Sequence, residues 1–152
     1  MEERTITEKT LKIGSILMFA MGFFALAVSI LWIFVTEIMF VSDFLFYTGE
    51  EFSAYLAASP VYAEMYMITK KLVGFVMLAT SLQFLFITKK GYETGEKWAW
   101  WALLITGGLF WGIFLGYRIY IGYIAISMMT FVVGLIIWLL AILIPFKDFF
   151  GK

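Results

Sequence analysis

Four apolar stretches without a charged residue dominate this chain, at 13–36, 72–88, 98–117 and 119–146. Every charged side chain lies between these stretches or at the ends of the chain. A bilayer core of about 30 Å requires about 20 apolar residues of α-helix to cross it. Three of the stretches reach that length, and the second reaches it with residues on its N-terminal side. The pattern therefore predicts an all-α polytopic membrane protein with four transmembrane helices.

The composition agrees with this class and excludes several kinds of chemistry. Of the 152 residues, 63% are hydrophobic and 14% are charged, which is typical of a membrane protein. The 11 basic and 11 acidic residues balance, so net charge does not indicate nucleic acid as a partner. The chain has no cysteine and no histidine, which excludes thiolate chemistry, histidine-dependent catalysis and histidine ligation of haem. We therefore predict no cofactor and no catalytic or metal-ligating residue set.

The chain is predicted to be one membrane domain over residues 1–152, arranged as an up-and-down four-helix bundle. A short helical cap on the outer face is expected to connect the first two transmembrane helices. The predicted ranges are about 11–36, 66–88, 97–117 and 122–146 for the four transmembrane helices and 37–65 for the outer segment.

Local signals refine the ends of the helices. Thr48 and Glu51 have the spacing of a capping box, which predicts a short outer helix over 50–58. Ser59 followed by Pro60 is typical of a helix start, so the second long helix should begin near Pro60. The third and fourth helices are expected to form a tight antiparallel hairpin around Arg118. Its turn could use Gly116 and Gly122.

The distribution of basic residues predicts the topology. Eight of the 11 fall on one side of a four-span protein: Arg4, Lys9, Lys12, Lys89, Lys90, Lys97, Lys147 and Lys152. The long connection on the other side, 37–69, has five acidic residues and no Lys or Arg. Cytoplasmic loops carry the excess of Lys and Arg, so both termini are predicted in the cytoplasm. The expected location is a prokaryotic cell membrane.

Small residues predict where the helices pack, because close backbone approach drives association in lipid. Three predicted helices carry small residues seven apart, which keeps one seam facing a neighbour: Ser15, Gly22 and Ser29; Gly74, Ser81 and Thr88; Ser127, Gly134 and Ala141. The third predicted helix instead has Gly108, Gly112 and Gly116 four apart, an extended G-x-x-x-G pattern. These glycines either pack within the bundle or form an interface with a second copy or a partner subunit.

Polar residues within the apolar stretches are few and neutral, and none of them is the Asp, Glu, Lys or Arg that ion pathways and proton relays usually need. Gln83 is predicted to make an interhelical hydrogen bond, since an unpaired amide in lipid is costly. On the outer face, six charged residues could converge: Glu37, Asp43, Glu64, Lys70, Lys71 and Arg118. They would either form a carboxylate site for a metal or polar ligand, or make interfacial ion pairs that hold the cap.

A short motif resembles that of a known group of proteins. Lys89-Lys90-Gly91 is followed by Gly95-Glu96-Lys97-Trp98-Ala99-Trp100, a basic turn leading into a tryptophan-rich helix start. This arrangement resembles uncharacterised small four-helix membrane proteins of prokaryotes, some of them loosely similar to the DoxX-like group. The resemblance implies an all-helical bundle and transfers no catalytic residue.

The leading functional hypothesis is a non-catalytic structural or accessory subunit, in a homo-oligomer or a larger membrane complex. The absence of a catalytic set, the glycine-lined helix and the aromatic outer segment favour it. One alternative is a binder or carrier of an apolar ligand such as a lipid or quinone. Another is a membrane enzyme that uses the outer carboxylates. The expected partners are the lipid bilayer and other copies or subunits, without nucleic acid.

Overall fold

The computed structural model describes residues 2–122 and 127–151, with the side chains of 2–8 and 127–130 left aside. Within these ranges the chain is helical and contains no strand. The seven α-helices are α1 (Glu2–Phe34), α2 (Thr36–Thr48), α3 (Phe52–Ala58), α4 (Pro60–Ile87), α5 (Lys97–Tyr120), α6 (Ser127–Leu143) and α7 (Phe146–Phe150). A π-helical turn over Thr88–Tyr92 extends α4.

Four helical segments of the described chain are long and apolar enough to cross a bilayer. They are Lys9–Phe34, Pro60–Tyr92, Lys97–Tyr120 and Phe131–Phe150, with 26, 33, 24 and 20 residues. Each reaches the roughly 20 residues that a bilayer core requires. The prediction of an all-helical chain with four helices of membrane-spanning length is therefore confirmed.

The chain divides into two compact units. The first comprises Met1–Phe23 and Gln83–Lys152, and the second comprises Phe24–Leu82. The boundary between them crosses α1 and α4, so each of these helices contributes residues to both units.

In the first unit, α5 and α6 pack as an antiparallel pair. The residues in contact run in opposite order along the two helices. Leu103 contacts Trp138, Trp111 contacts Gly134, and Phe114 contacts Phe131. The buried core of this unit is Met18, Tyr92, Ala99, Trp100, Leu103, Trp111, Trp138, Ala141, Ile142 and Phe149.

In the second unit, α2 and α3 fold onto the start of α4 through aromatic rings. Phe40 and Phe44 lie one turn apart on α2, and both are buried. Their ring centroids lie 4.8 and 5.2 Å from that of Phe52 on α3. Tyr66 of α4 completes the group, at 5.0 Å from Phe40. Edge-to-face pairs at these distances stabilise a fold beyond the burial of their area.

The small residues seven apart lie on the contact faces, as predicted. Gly22 packs against Leu85 in the first unit, and Gly74 packs against Trp32 and Ile33 in the second. Ser15, Ser29, Ser81 and Thr88 are at most 4% exposed. Each of these four hydroxyls donates to a carbonyl of the preceding turn, so the buried polar groups are satisfied within their own helices. Ser127 of the third seam lies outside the described side chains.

The predicted capping box is wrong, and the outer segment holds two helices where one was expected. Thr48 is the last residue of α2, and its hydroxyl donates to the carbonyl of Phe44 at 2.9 Å. The same oxygen accepts from the backbone N–H of Glu50 rather than Glu51. Gly49, with φ of 74°, ends α2 in the left-handed conformation, and the next helix begins at Phe52. The start of α4 at Pro60 is as predicted.

The turn after α5 begins later than predicted. Arg118 lies in the last turn of α5, and Gly116 is helical. Gly122 has φ of 71°, the positive value that a turn glycine supplies. The rest of the predicted hairpin turn, residues 123–126, lies outside the described residues.

Candidate functional site

The predicted outer charged residues are distributed over both units. Glu37 on α2 and Glu64 and Lys71 on α4 are exposed, and Asp43 is half-buried. The ammonium group of Lys70 lies 4.9 Å from the ring centroid of Tyr66, which is a cation–π contact. Among the residues that the structure describes, no three His, Cys, Asp or Glu residues lie close enough to hold a metal ion. A metal site therefore has no geometric support in this region.

Arg118 belongs to the first unit, whereas the other five charged residues belong to the second. Its guanidinium carbon lies 4.8 Å from the ring centroid of Phe114 and 5.0 Å from that of Phe131. Arg118 is thus held by aromatic faces of α5 and α6, where cation–π attraction suits a planar guanidinium. Convergence of Arg118 with the outer carboxylates stays a prediction.

Two adjacent glycines of α5 have different surroundings. A Cβ atom on Gly107 would overlap Nε1 of Trp138, closer than the 3.0 Å that real Cβ contacts essentially always keep. On Gly108 the nearest atom would be 3.8 Å away, an ordinary van der Waals contact. Successive helical residues point about 100° apart, because the helix has about 3.6 residues per turn. Gly107 therefore faces α6. Gly108 lies at the edge of this contact and points toward the neighbouring side of α5.

A second close approach, one turn further along α5, completes the internal contact. The ring of Trp111 lies where a Cβ of Gly134 would be, at 2.6 Å. The indole Nε1 of Trp138 also donates to the carbonyl of Leu103 at 3.3 Å. Each helix thus contributes one glycine and one tryptophan to the other, so that both indole rings are buried. Gly134 was predicted to pack against a neighbouring helix and does so, whereas Gly107, Trp111 and Trp138 were not predicted to take part.

The other three glycines of α5 make no close contact with the described residues: Gly108 lies at the edge of the contact with Trp138, and Gly112 and Gly116 lie beyond it. We call Gly108, Gly112 and Gly116 the glycine face. A Cβ atom on Gly112 or Gly116 would meet no described atom within 4 Å. Large apolar residues flank this face and are exposed, with Leu109 at 59% and Tyr117 at 60%. Packing within the chain, one of the two predicted roles of these glycines, therefore does not account for Gly112 and Gly116 among the described residues.

Gln83 is a further residue with no described hydrogen-bonding partner for its side chain. Its side chain is exposed on α4, six residues before Lys89. Within the described part of the chain its amide makes no hydrogen bond, although an interhelical bond was predicted. Thr80 and Thr106 are also exposed, but their hydroxyls donate to carbonyls of their own helices. The amide of Gln83 makes no such bond to its own helix, so its donors and its acceptor are available to a neighbouring molecule.

Two side chains of the first unit donate hydrogen bonds to carbonyl groups in the last turn of α6. Pro145 has no N–H, so it cannot donate to the carbonyl of Ala141 four residues earlier. The hydroxyl of Tyr92 donates to that carbonyl, and Nε1 of Trp100 donates to the carbonyl of Ile142 at 3.0 Å. Trp100, part of the tryptophan-rich helix start, is only 5% exposed. The proline within the last apolar stretch was the available signal for this arrangement.

The chain was compared with protein-family models, curated proteins and solved structures, and none of them matches it. The resemblance carried by residues 89–100 accordingly stays an expectation. The described residues offer a surface for helix contact on α5.

Proposed function

We propose that this chain is an integral membrane protein whose role is non-catalytic, as a subunit that assembles with further copies of itself through the glycine face of α5. In this proposal the four apolar helices form an up-and-down bundle in a prokaryotic cell membrane. Both termini lie in the cytoplasm, because eight of the 11 basic residues then fall on that side.

The open glycine face is the observation that carries the proposal. A glycine in a helix interior costs about 0.5–1 kcal/mol relative to alanine, because it gives up more conformational freedom on folding. In lipid, that cost is offset where glycine lets another backbone come close, as in the dimers of G-x-x-x-G helices. Gly107 makes a close contact within the chain, with the indole of Trp138, whereas Gly112 and Gly116 make none with the described residues. A helix from a second copy would supply the missing contact.

Gln83 on α4 favours association of the chain as well, without defining which helix face takes part. Under the proposed topology it lies about 9 Å inside Lys89, at the helical rise of about 1.5 Å per residue. An amide at that depth is costly to leave unpaired, and it both donates and accepts hydrogen bonds. A second copy of the chain offers an identical amide, so the pair would be self-complementary across a two-fold axis.

The first prediction is that Gly112→Leu dissociates the oligomer without unfolding the protein. We expect at least about a tenfold weaker association, equivalent to about 1.4 kcal/mol, because leucine keeps the two backbones apart. The measurement is the concentration dependence of the oligomer in mild detergent, followed by native mass spectrometry. Far-UV circular dichroism should show the same helix content for the variant and the natural chain.

Thr106→Leu is the matched control for this experiment. Thr106 is also exposed on α5 but lies on a different side from the glycine face, and its hydroxyl bonds only to its own helix. This variant should associate like the natural chain. A natural chain that stays monomeric at every concentration would overturn the proposal. So would a Gly112→Leu variant that associates normally, or a stoichiometric complex with a different protein in place of the homo-oligomer.

A further inference from the structure

A groove in the first unit runs along the start of α1. The described residues that line it come from one side of α1 and, for Glu93, from the turn after the π-helix: Leu11, Lys12, Ser15, Ile16, Phe19 and Glu93. Its volume is about 330 Å³, at the small end of the roughly 300–1,000 Å³ that ligand sites in proteins occupy. This volume suits part of a lipid rather than a whole one.

The groove is charged at one end and apolar at the other. Lys12 is the last charged residue before the apolar stretch 13–36. Ile16 and Phe19 follow it by four and seven residues, which corresponds to about 6 and 10 Å along the helix. The hydroxyl of Ser15 donates to the carbonyl of Leu11 at 2.8 Å, so it adds no unsatisfied polar group to the apolar part. If α1 spans the membrane as proposed, the groove leads from the headgroup level into the hydrocarbon.

The charge at the mouth of the groove favours an anion. The carboxylate of Glu93 lies 2.8 Å from Nζ of Lys89, so these two charges compensate each other. Among the described lining residues, Lys12 then contributes one positive charge that Glu93 does not offset. Lys9 and Lys90, each three residues before a lining residue, are also exposed. Basic pockets on the cytoplasmic side of membrane helices bind anionic headgroups. A phosphodiester with one negative charge matches this rim.

We propose that the groove binds one anionic glycerophospholipid of the cytoplasmic leaflet. Its phosphodiester lies against Lys12, and one acyl chain runs along Ile16 and Phe19. The inference rests on the proposed membrane insertion and is independent of the glycine face, which lies on a different helix. It adds a lipid site at the cytoplasmic end of the molecule to its proposed role as a subunit.

The test is native mass spectrometry of the full chain with added phosphatidylglycerol or phosphatidylcholine. We expect one tightly bound phosphatidylglycerol per chain, at least about fivefold preferred over phosphatidylcholine. Lys12→Gln should abolish this preference. Lys147→Gln is the control, because Lys147 is an exposed lysine of the same unit that does not line the groove, and it should leave the preference unchanged.

Two further arms test the apolar part of the groove. Ile16→Trp, which fills the groove at an exposed position, should lower the binding of both lipids at least about fivefold. Glycerol 3-phosphate should not compete, because it has no acyl chain.

Equal binding of the two lipids would overturn the proposal, as would equal effects of Lys12→Gln and Lys147→Gln. Competition by glycerol 3-phosphate would indicate a soluble phosphate ligand instead. The same spectra report the oligomeric state, so failure here is distinguishable from failure of the oligomer.

Discussion

Gly107→Ala is expected to destabilise the protein by about 1–3 kcal/mol, the usual cost of overpacking a filled core. The new methyl group would overlap Nε1 of Trp138, and the indole could leave that position only by losing its bond to the carbonyl of Leu103. The contact between α5 and α6 would then have to open. Unfolding in mixed micelles with increasing fractions of sodium dodecyl sulfate, followed by circular dichroism, measures the change.

Gly112→Ala is the matched control for this substitution. It makes the same chemical change five residues further along the same helix, where a Cβ atom meets no described atom within 4 Å. Alanine is the better helix former, so this variant should be unchanged or up to about 1 kcal/mol more stable as an isolated chain. Equal destabilisation by both substitutions would contradict the assignment of Gly107 to the internal contact and Gly112 to the open face.

Tyr92→Phe is expected to destabilise the first unit by about 1–3 kcal/mol, the cost of leaving a buried polar group unsatisfied. The ring of Tyr92 is fully buried and packs against Phe149 at 4.8 Å, so phenylalanine preserves the packing. What is lost is the donor to the carbonyl of Ala141, which Pro145 cannot replace. Tyr62→Phe, at a 63% exposed position, should change stability by less than about 0.5 kcal/mol.

A double-mutant cycle isolates this hydrogen bond from other effects of the substitution. Pro145→Ala restores a backbone N–H that can reach the carbonyl of Ala141 in a regular helical turn. In that background, Tyr92→Phe should cost less than half of what it costs in the natural chain. The free energies of unfolding of the four proteins give the coupling directly. Equal costs in the two backgrounds would show that the tyrosine hydroxyl does not compensate for the proline.

The parts of the fold that follow from hydrophobicity and spacing could be predicted. The four long helices follow from runs of apolar residues, because a helix satisfies its own backbone groups in lipid. The buried positions of Gly22, Ser29, Gly74 and Ser81 follow from their spacing of seven, which keeps one side of a helix facing a neighbour. The start of α4 at Pro60 follows from the fixed φ of proline.

The parts that depend on particular neighbours could not be predicted. Gly107 and Gly108 are adjacent and chemically identical, and only the position of Trp138 decides which one is internal. Thr48 fits a capping box by spacing, but the left-handed Gly49 ends α2 first and gives the hydroxyl other partners. Tryptophan after a basic turn is typical of a membrane–water interface, but the indole of Trp100 donates to the carbonyl of Ile142 and is buried in the core.

The central claim is that the glycine face of α5 contacts a second copy of this chain, and single-cysteine crosslinking tests it most directly. The natural chain has no cysteine, so any disulfide must come from the introduced residue. Disulfides form when two Cβ atoms approach to about 3.8 Å.

Gly112→Cys and Ile113→Cys would each be oxidised in the membrane and separated on non-reducing gels. Ile113 is the control, because it is 68% exposed on another side of α5. We predict a disulfide-linked dimer for Gly112→Cys and monomer for Ile113→Cys. Monomer for Gly112→Cys, or equal crosslinking at both positions, would contradict the claim.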